Sequence, residues 1–206
     1  VVLIKRNPPK SFYVNMDDHG KYTTVYEQVS FHPKPALITA AKKNLLLEIN
    51  KGEPTSCTGC PFLEFKNWGS VEPLRVQYLS MEHHSVCNMK CTYCDEKYYG
   101  GKQPEYDVLE LLRQLYSDGA LGGLQMVTWG GGEPVVGKRF PEILAHLMGA
   151  TSASHRFLTN ALVFSPAIAN AVQCGRGTVT TSIDAGTEKK FTEVRGTELG
   201  MHRVLE

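Results

Sequence analysis

The sequence has almost no net charge and no long apolar run. Its 206 residues include 22 Lys and Arg against 21 Asp and Glu, which gives a formal net charge of +1. That balance offers no electrostatic support for binding nucleic acid or an anionic membrane surface. No window approaches the roughly 18 consecutive apolar residues that a membrane-spanning helix needs. The sequence therefore predicts neither a membrane protein nor a nucleic-acid-binding one.

A secretory signal and an internal repeat are also missing from the sequence. The chain begins with the apolar run VVLI followed by basic residues, the reverse of the order in a signal peptide, and no small-residue cleavage site follows. It has no initiator Met, so we expect the true N-terminus to lie elsewhere. An apolar content of 42% in 206 residues suits one globular domain, or one domain with an appendage.

The six cysteines are clustered and not spread along the chain. Five of them fall in two short clusters and one stands alone: Cys57 and Cys60, then Cys87, Cys91 and Cys94, then Cys174. Secreted disulfide frameworks spread their cysteines, whereas close clusters without a signal sequence indicate metal or cluster ligands that are kept reduced. We therefore expect a cytoplasmic protein with such a site. Cys174 lies on the inner face of a predicted apolar helix, SPAIANAVQC, and is predicted to be a core residue.

Strand and helix patterns alternate from about residue 74 onward. Four strand candidates are each followed by a helical pattern: LRVQYLSM, LGGLQMVTW, SHRFLTN and GTVTTSID. This alternation predicts parallel βα units and therefore an α/β fold, in the form of a partial parallel barrel. Residues 71–206 form its core, preceded by an N-terminal extension, 1–70, that includes a predicted helix over 36–50. Because the chain stops within the fourth helical region, we expect the barrel to be truncated after about four βα units.

Each predicted strand ends in residues suited to chemistry. The first runs into VCNMKCTYCD, the second into GGGEP, the third into TN and the fourth into SID. The carboxyl ends of parallel strands meet at one edge, where active sites of such folds lie. The sequence therefore predicts one active site built from these four segments.

The loop VCNMKCTYCD holds three cysteines within eight positions, Cys87, Cys91 and Cys94. Thiolates suit both iron–sulfur clusters and zinc. Three of them on a four-iron cluster leave one iron open, where a small molecule can bind. A zinc site would need a fourth ligand, for which His83 or His84 is placed. Both interpretations stay open on the residues alone.

The loop resembles the CxxxCxxC signature of the radical S-adenosylmethionine (radical SAM) enzymes, and GGGEP resembles the GGE motif of that family. The resemblance covers about residues 74–196. It implies a partial parallel (β/α) barrel of the radical SAM type, with a [4Fe-4S] cluster on Cys87, Cys91 and Cys94. S-adenosylmethionine (SAM) would bind at the open iron and be cleaved reductively to a 5′-deoxyadenosyl radical.

The resemblance also implies contacts to SAM. Gly131, Gly132 and Glu133 would receive its methionine amino group, since a carboxylate accepts hydrogen bonds from an ammonium. Tyr93, before the last cysteine, would lie near the adenine. The remaining candidates come from the third and fourth strand ends, and they are Asn160, Ser182, Asp184 and Arg195. A guanidinium suits the SAM carboxylate, although Arg195 could equally be a solvated cation at a helix end and Asp184 the cap of a turn.

The pair Cys57 and Cys60, in the loop SCTGCPF, stays open as a possible auxiliary iron–sulfur cluster, another metal site, or a redox or inert pair. The resemblance implies a flavodoxin- or ferredoxin-type reductant. The segment SIDAGTEKKFTEVRG favours a peptide or protein substrate by analogy, with a small molecule or tRNA as alternatives. A function of a different class is a zinc- or iron–sulfur-binding module without catalysis.

Overall fold

The computed structural model describes residues 2–5, 11–16, 22–27, 35–55, 58–59, 75–96, 100–101, 103–104 and 106–205. Within these residues the strands form one sheet in the order β3-β2-β1-β4-β5-β6-β7. The strands are β1 (Val2–Lys5), β2 (Ser11–Met16), β3 (Tyr22–Glu27), β4 (Tyr78–Glu82), β5 (Met126–Trp129), β6 (Ser154–Leu158) and β7 (Gly177–Thr180).

Helices follow the strands in chain order. They are α1 (Pro35–Lys51), α2 (Val108–Ser117), α3 (Phe140–Ala150), α4 (Pro166–Gln173), α5 (Glu188–Arg195) and α6 (His202–Leu205), with a 3₁₀ turn at Pro134–Val136. Their starts follow from local chemistry. The side chains of Asp107, Ser165 and Thr187 accept hydrogen bonds from the first free N–H groups of α2, α4 and α5. None of the helices in the described ranges is both long and apolar enough to cross a membrane.

The four predicted βα units are confirmed as an α/β fold. β4, β5, β6 and β7 pair side by side and in parallel. The N-terminal strands continue the same sheet, because β1 pairs in parallel with β4 over Val2↔Leu79 to Lys5↔Glu82. β2 and β3 then extend it in antiparallel fashion. β4 therefore has a partner strand on each side, β1 and β5.

The two faces of the parallel strands differ in character. One face packs against the helices and is apolar, and its buried strand side chains include Leu79, Met81, Val127, Trp129 and Phe157. The alternating side chains on the other face form a row across the sheet that we call the polar row: Ser80, Thr128, Arg156 and Thr178. This alternation follows from the period of two along a strand. The polar row leaves hydrogen-bonding groups available on the face away from the helices.

Candidate functional site

The three-cysteine loop follows β4 directly. Cys87, Cys91 and Cys94 are each half-buried and unpaired by disulfides. Burial raises the pKa of Cys87, and the neighbouring Glu133 carboxylate and the other two thiols raise it further. Within the described residues, no three His, Cys, Asp or Glu side chains converge as they would around a single metal ion. The three thiols occupy one loop near a carboxylate, and a bound cation would favour their thiolate forms.

The start of this loop is bonded to the segment GGGEP, and we call this contact the glycine clamp. It joins residues 81–86 to 130–133 through backbone hydrogen bonds. The N–H of Gly132 donates to the carbonyl of His84 at 3.1 Å, and the N–H of Glu133 donates to that of Val86 at 2.8 Å. A Cβ on Gly132 would overlap the Val86 carbonyl and lie 2.8 Å from the Ser85 carbonyl carbon. The glycines are therefore required here for two backbones to touch.

Gly131 has a second constraint. Its φ of +92° lies in the region that favours glycine. A Cβ would also lie 3.0 Å from the His84 carbonyl oxygen. The space that the absent side chain leaves is thus filled by the chain itself.

Two buried histidines, His83 and His84, belong to the glycine clamp. His84 Nδ1 accepts from the N–H of Val86 at 3.1 Å, and a Cβ on Gly137 would overlap Nε2 of the His84 ring. The His83 ring lies edge-on to His84 with centroids 4.4 Å apart. Burial lowers the pKa of His83 to about 3 and also lowers that of His84, so both are neutral at pH 7. Both rings therefore pack in the glycine clamp as neutral side chains.

Glu133 is buried in the site, and three donors of the same protein form hydrogen bonds to its carboxylate. Its side chain is 2% exposed. It accepts from Thr159 Oγ1 and from the N–H of Asn160, both at 2.7 Å, and from the N–H of Val135 at 3.4 Å. Burial raises the pKa of Glu133, and these donors act in the opposite direction. Because a carboxylate has about four acceptor positions, roughly one remains for a ligand.

Asn160 connects Glu133 to the cysteine loop. Its side-chain nitrogen donates to Asn88 Oδ1 at 2.6 Å and lies 3.9 Å from the Cys87 sulfur. Its side-chain oxygen accepts from the N–H of Leu162 at 3.1 Å. The segment after β6 therefore contacts Cys87, the first of the three cysteines.

The end of the cysteine loop is bonded to α5 and the segment before it, a contact we call the arginine clamp. The N–H of Thr92 donates to the Val194 carbonyl at 2.8 Å. Arg195, 6% exposed, donates to Asp184 at 2.7 Å, and Tyr93 OH donates to the same carboxylate oxygen at 2.7 Å. Arg195 Nη1 also contacts the Tyr93 hydroxyl. Gly196 ends the helix at φ +57°, where a Cβ would lie 2.7 Å from the Lys90 carbonyl carbon.

Tyr93, Asp184 and Arg195 are thus brought together, whereas Ser182 lies exposed after β7 without a described hydrogen bond to them. The ring of Tyr93 remains open to solvent although its hydroxyl is bonded. Burial and the hydrogen bond to Asp184 raise the pKa of Tyr93, so the phenol stays protonated.

Several residues of the site were missed by sequence reasoning. Asn88 directly follows Cys87, and Thr159 directly precedes Asn160, so both lie in segments that the sequence singled out. A polar side chain next to a candidate site residue is the sequence signal that could have identified both. The prediction that Cys174 is a core residue was wrong: α4 ends at Gln173, and Cys174 is exposed at the C-cap. Cys57 and Cys60 lie outside the described residues.

The residues thus form a βα fold with cysteines, a buried carboxylate and a guanidinium at one sheet edge. The profile of the Radical SAM superfamily matches residues 81–206, and the chain belongs to that superfamily. It is a radical SAM enzyme by class, and the family implies a [4Fe-4S] cluster and SAM.

Relatives named as GTP 3′,8-cyclases match part of the chain. A GTP 3′,8-cyclase of Vibrio vulnificus is 29% identical over 133 residues, which are 62% of this chain and 39% of that protein. A probable GTP 3′,8-cyclase of Methanococcus vannielii is 26% identical over 113 residues, 53% of this chain and 37% of that protein. The chain therefore spans about two fifths of the length of these relatives.

A solved structure with a partly similar fold is SuiB of Streptococcus suis bound to S-adenosylmethionine. Its TM-score is 0.49 at 17% identity, covering 63% of this chain and 29% of that one.

Proposed function

We propose that this protein cleaves SAM reductively at a [4Fe-4S] cluster held by Cys87, Cys91 and Cys94, and that the resulting 5′-deoxyadenosyl radical takes a hydrogen atom from a substrate. The observation that carries this proposal is the placement of the cysteine loop. It is fixed at one end beside the Glu133 carboxylate and at the other beside Arg195, on the carboxyl edge of the sheet. Family membership supports the same chemistry.

The residues present fit both cofactors. Three thiols can ligate three irons of a cubane and leave one iron open for SAM. Glu133 retains about one acceptor position for the methionine ammonium, beside Gly131 and Gly132. The exposed Tyr93 ring offers an apolar face for the adenine. Ser182, Asp184 and Arg195 are the further SAM contacts we propose, with Asp184 and Arg195 already oriented by their ion pair.

For the substrate, we propose a small polar molecule with anionic groups. The polar row lies on the face of the sheet away from the helices, and Arg156 brings a guanidinium to it, bonded to Thr180 at 3.3 Å. A guanidinium recognises phosphate and carboxylate well. The relatives named as GTP 3′,8-cyclases point in the same direction.

A peptide substrate is the alternative. The segment SIDAGTEKKFTEVRG suggested it, but two polar residues of that segment, Asp184 and Arg195, bond to one another and to Tyr93. They contribute to holding the cysteine loop and therefore say little about the substrate. A labelling experiment distinguishes a small anionic substrate from a peptide, because the hydrogen that the radical removes ends in 5′-deoxyadenosine. A deuterated substrate transfers its label, and a molecule that is not a substrate transfers none.

Further parts of the proposal concern the rest of the chain. We propose that Cys57 and Cys60 ligate an auxiliary iron–sulfur cluster, and that residues 1–70 form an extension to a core over 71–206. A low-potential flavodoxin or ferredoxin would supply the electron. Unpaired thiols at the site suit a reducing compartment, which supports a cytoplasmic location.

Anaerobic reconstitution of the whole protein tests the central proposal. With dithionite and SAM, wild-type protein should release 5′-deoxyadenosine, measured by liquid chromatography. The Cys91→Ala variant should release none, whereas Cys174→Ala should match wild type because Cys174 is exposed and outside the site. Iron and sulfide loading without 5′-deoxyadenosine would contradict the proposal. One zinc per chain without sulfide would instead support the non-catalytic module.

A further inference from the structure

The side chain of Asn160 is fixed in orientation by three neighbours. Asn160 is 7% exposed and lies just after β6. The N–H of Leu162, 3.1 Å away, can only donate, so the atom facing it must be the amide oxygen. The NH₂ group therefore points in the opposite direction. This settles the amide assignment on chemical grounds.

The two hydrogens of that NH₂ group have two separate acceptors. One is Asn88 Oδ1 at 2.6 Å, and the other is the sulfur of Cys87 at 3.9 Å. Cys87 is the first of the three proposed cluster ligands. The backbone N–H of Asn160 donates to Glu133 at 2.7 Å, which holds the residue in place independently of its side chain.

We propose that Asn160 donates a hydrogen bond to the Cys87 thiolate and thereby raises the reduction potential of the bound cluster. This inference rests on the proposed function, since it assumes a cluster on Cys87. Reduction adds one electron from an external low-potential donor such as reduced flavodoxin, and no bond forms or breaks. The added negative charge is shared by the sulfurs, so a donor beside one of them stabilises the reduced state more than the oxidised state. Hydrogen bonds to ligand sulfurs are among the factors that set cluster potentials.

Asn160 could instead act only as a brace, that is, by holding the cysteine loop in position through its hydrogen bond to Asn88. The two roles predict different patterns among variants. A brace would be lost equally when either Asn160 or Asn88 is truncated. A sulfur donor is lost only with Asn160, because Asn88 accepts from the other hydrogen and makes no described bond to Cys87.

The test is a redox titration of the reconstituted whole protein without SAM, followed by the electron paramagnetic resonance signal of the reduced cluster. For Asn160→Ala, the ratio of reduced to oxidised cluster at a fixed potential should fall about fivefold, the size expected for one lost hydrogen bond. Asn88→Ala should keep the wild-type ratio. An unchanged ratio for Asn160→Ala, or an equal fall for Asn88→Ala, overturns the inference.

A second pair of variants covers the case in which Asn160→Ala does not load a cluster. Asn160→Asp keeps an oxygen for the N–H of Leu162 but loses the donor and adds a negative charge. Asn88→Asp adds the same charge nearby and leaves the donor in place. The potential of Asn160→Asp must fall below that of Asn88→Asp, and equal potentials overturn the inference.

The outcomes also separate this inference from the proposed function. If wild-type protein assembles no cluster, both fail. If wild-type protein releases 5′-deoxyadenosine and the Asn160 variants keep its potential, only the role of Asn160 fails.

Discussion

The two clamps hold the same cysteine loop by different means. The glycine clamp consists of backbone hydrogen bonds from residues 130–133, with no side chain between the two backbones. The arginine clamp combines backbone bonds with a partly buried ion pair between Arg195 and Asp184 and a tyrosine hydroxyl. The glycine clamp requires that Gly131 and Gly132 carry no Cβ, whereas the arginine clamp requires the charges of Arg195 and Asp184. They should therefore fail under different substitutions, which the following predictions exploit.

The largest effect is expected for Gly132→Ala. Its Cβ would overlap the Val86 carbonyl, which is backbone and cannot move aside without shifting the cysteine loop. We expect a loss of about 3 kcal/mol in the free energy of unfolding, measured by urea denaturation, and reduced iron loading. Gly123→Ala is the matched control, because a Cβ there meets nothing within 4 Å. Equal stability of the two variants would contradict the glycine clamp.

Arg195→Met should have the next largest effect, on the arginine clamp. The substitution removes the charge from a side chain that is 7% exposed and leaves Asp184 without its partner. We expect a loss of about 2 kcal/mol, less than for a fully buried pair because Asp184 remains partly exposed. Arg113→Met is the control, since the Arg113–Glu110 pair is exposed at 4.0 Å and should contribute little. Wild-type stability of Arg195→Met would show that the ion pair contributes nothing to the clamp.

Acid should weaken the glycine clamp in particular, because His84 belongs to it. Burial lowers the pKa of His84, so the unfolded chain takes up a proton below about pH 6.5 while the folded chain resists. Stability is fully present above pH 6.5 and falls below it by up to about 1.4 kcal/mol per pH unit for each such histidine. His84→Asn keeps an acceptor for the N–H of Val86 but cannot titrate.

Urea midpoints at pH 7.5 and 5.5 measure this effect. His84→Asn should lose less stability than wild type between the two values. His155 supplies a comparison outside the clamp: burial lowers its pKa to about 4, and its Nδ1 accepts from Trp129 at 3.1 Å. Acid loss in His84→Asn as large as in wild type would assign the whole effect to other groups such as His155 and His83.

The smallest effect is expected for Tyr93→Phe. It removes the hydroxyl that bonds to Asp184 but leaves the Arg195–Asp184 pair and the exposed ring in place. We expect a loss of about 1 kcal/mol or less in the free energy of unfolding. A loss as large as that of Arg195→Met would mean that the hydroxyl, and not the ion pair, is the main contact of the clamp.

Much of the fold and part of the site could be predicted from local patterns. The strand candidates LRVQYLSM, LGGLQMVTW, SHRFLTN and GTVTTSID overlap with β4, β5, β6 and β7, and these strands pair in parallel as predicted. The pairing of β1 with β4 could not be predicted, because residues 2–5 carry no local signal for a partner that lies about 75 positions away.

The sequence by itself determined which residues are candidates for the proposed chemistry. Three closely spaced thiols, a glycine-rich turn with a carboxylate, and strand ends in TN and SID are local features whose meaning depends on residue type and spacing. Only the tertiary structure decided how these residues bond to one another. In the structure, backbone atoms lie where a Cβ on Gly131 or Gly132 would be. Arg195 forms an ion pair with Asp184, and the Asn160 amide nitrogen faces the Cys87 sulfur. Such contacts join positions up to 73 residues apart. They depend on the register and packing of the whole sheet, which no local stretch of sequence encodes.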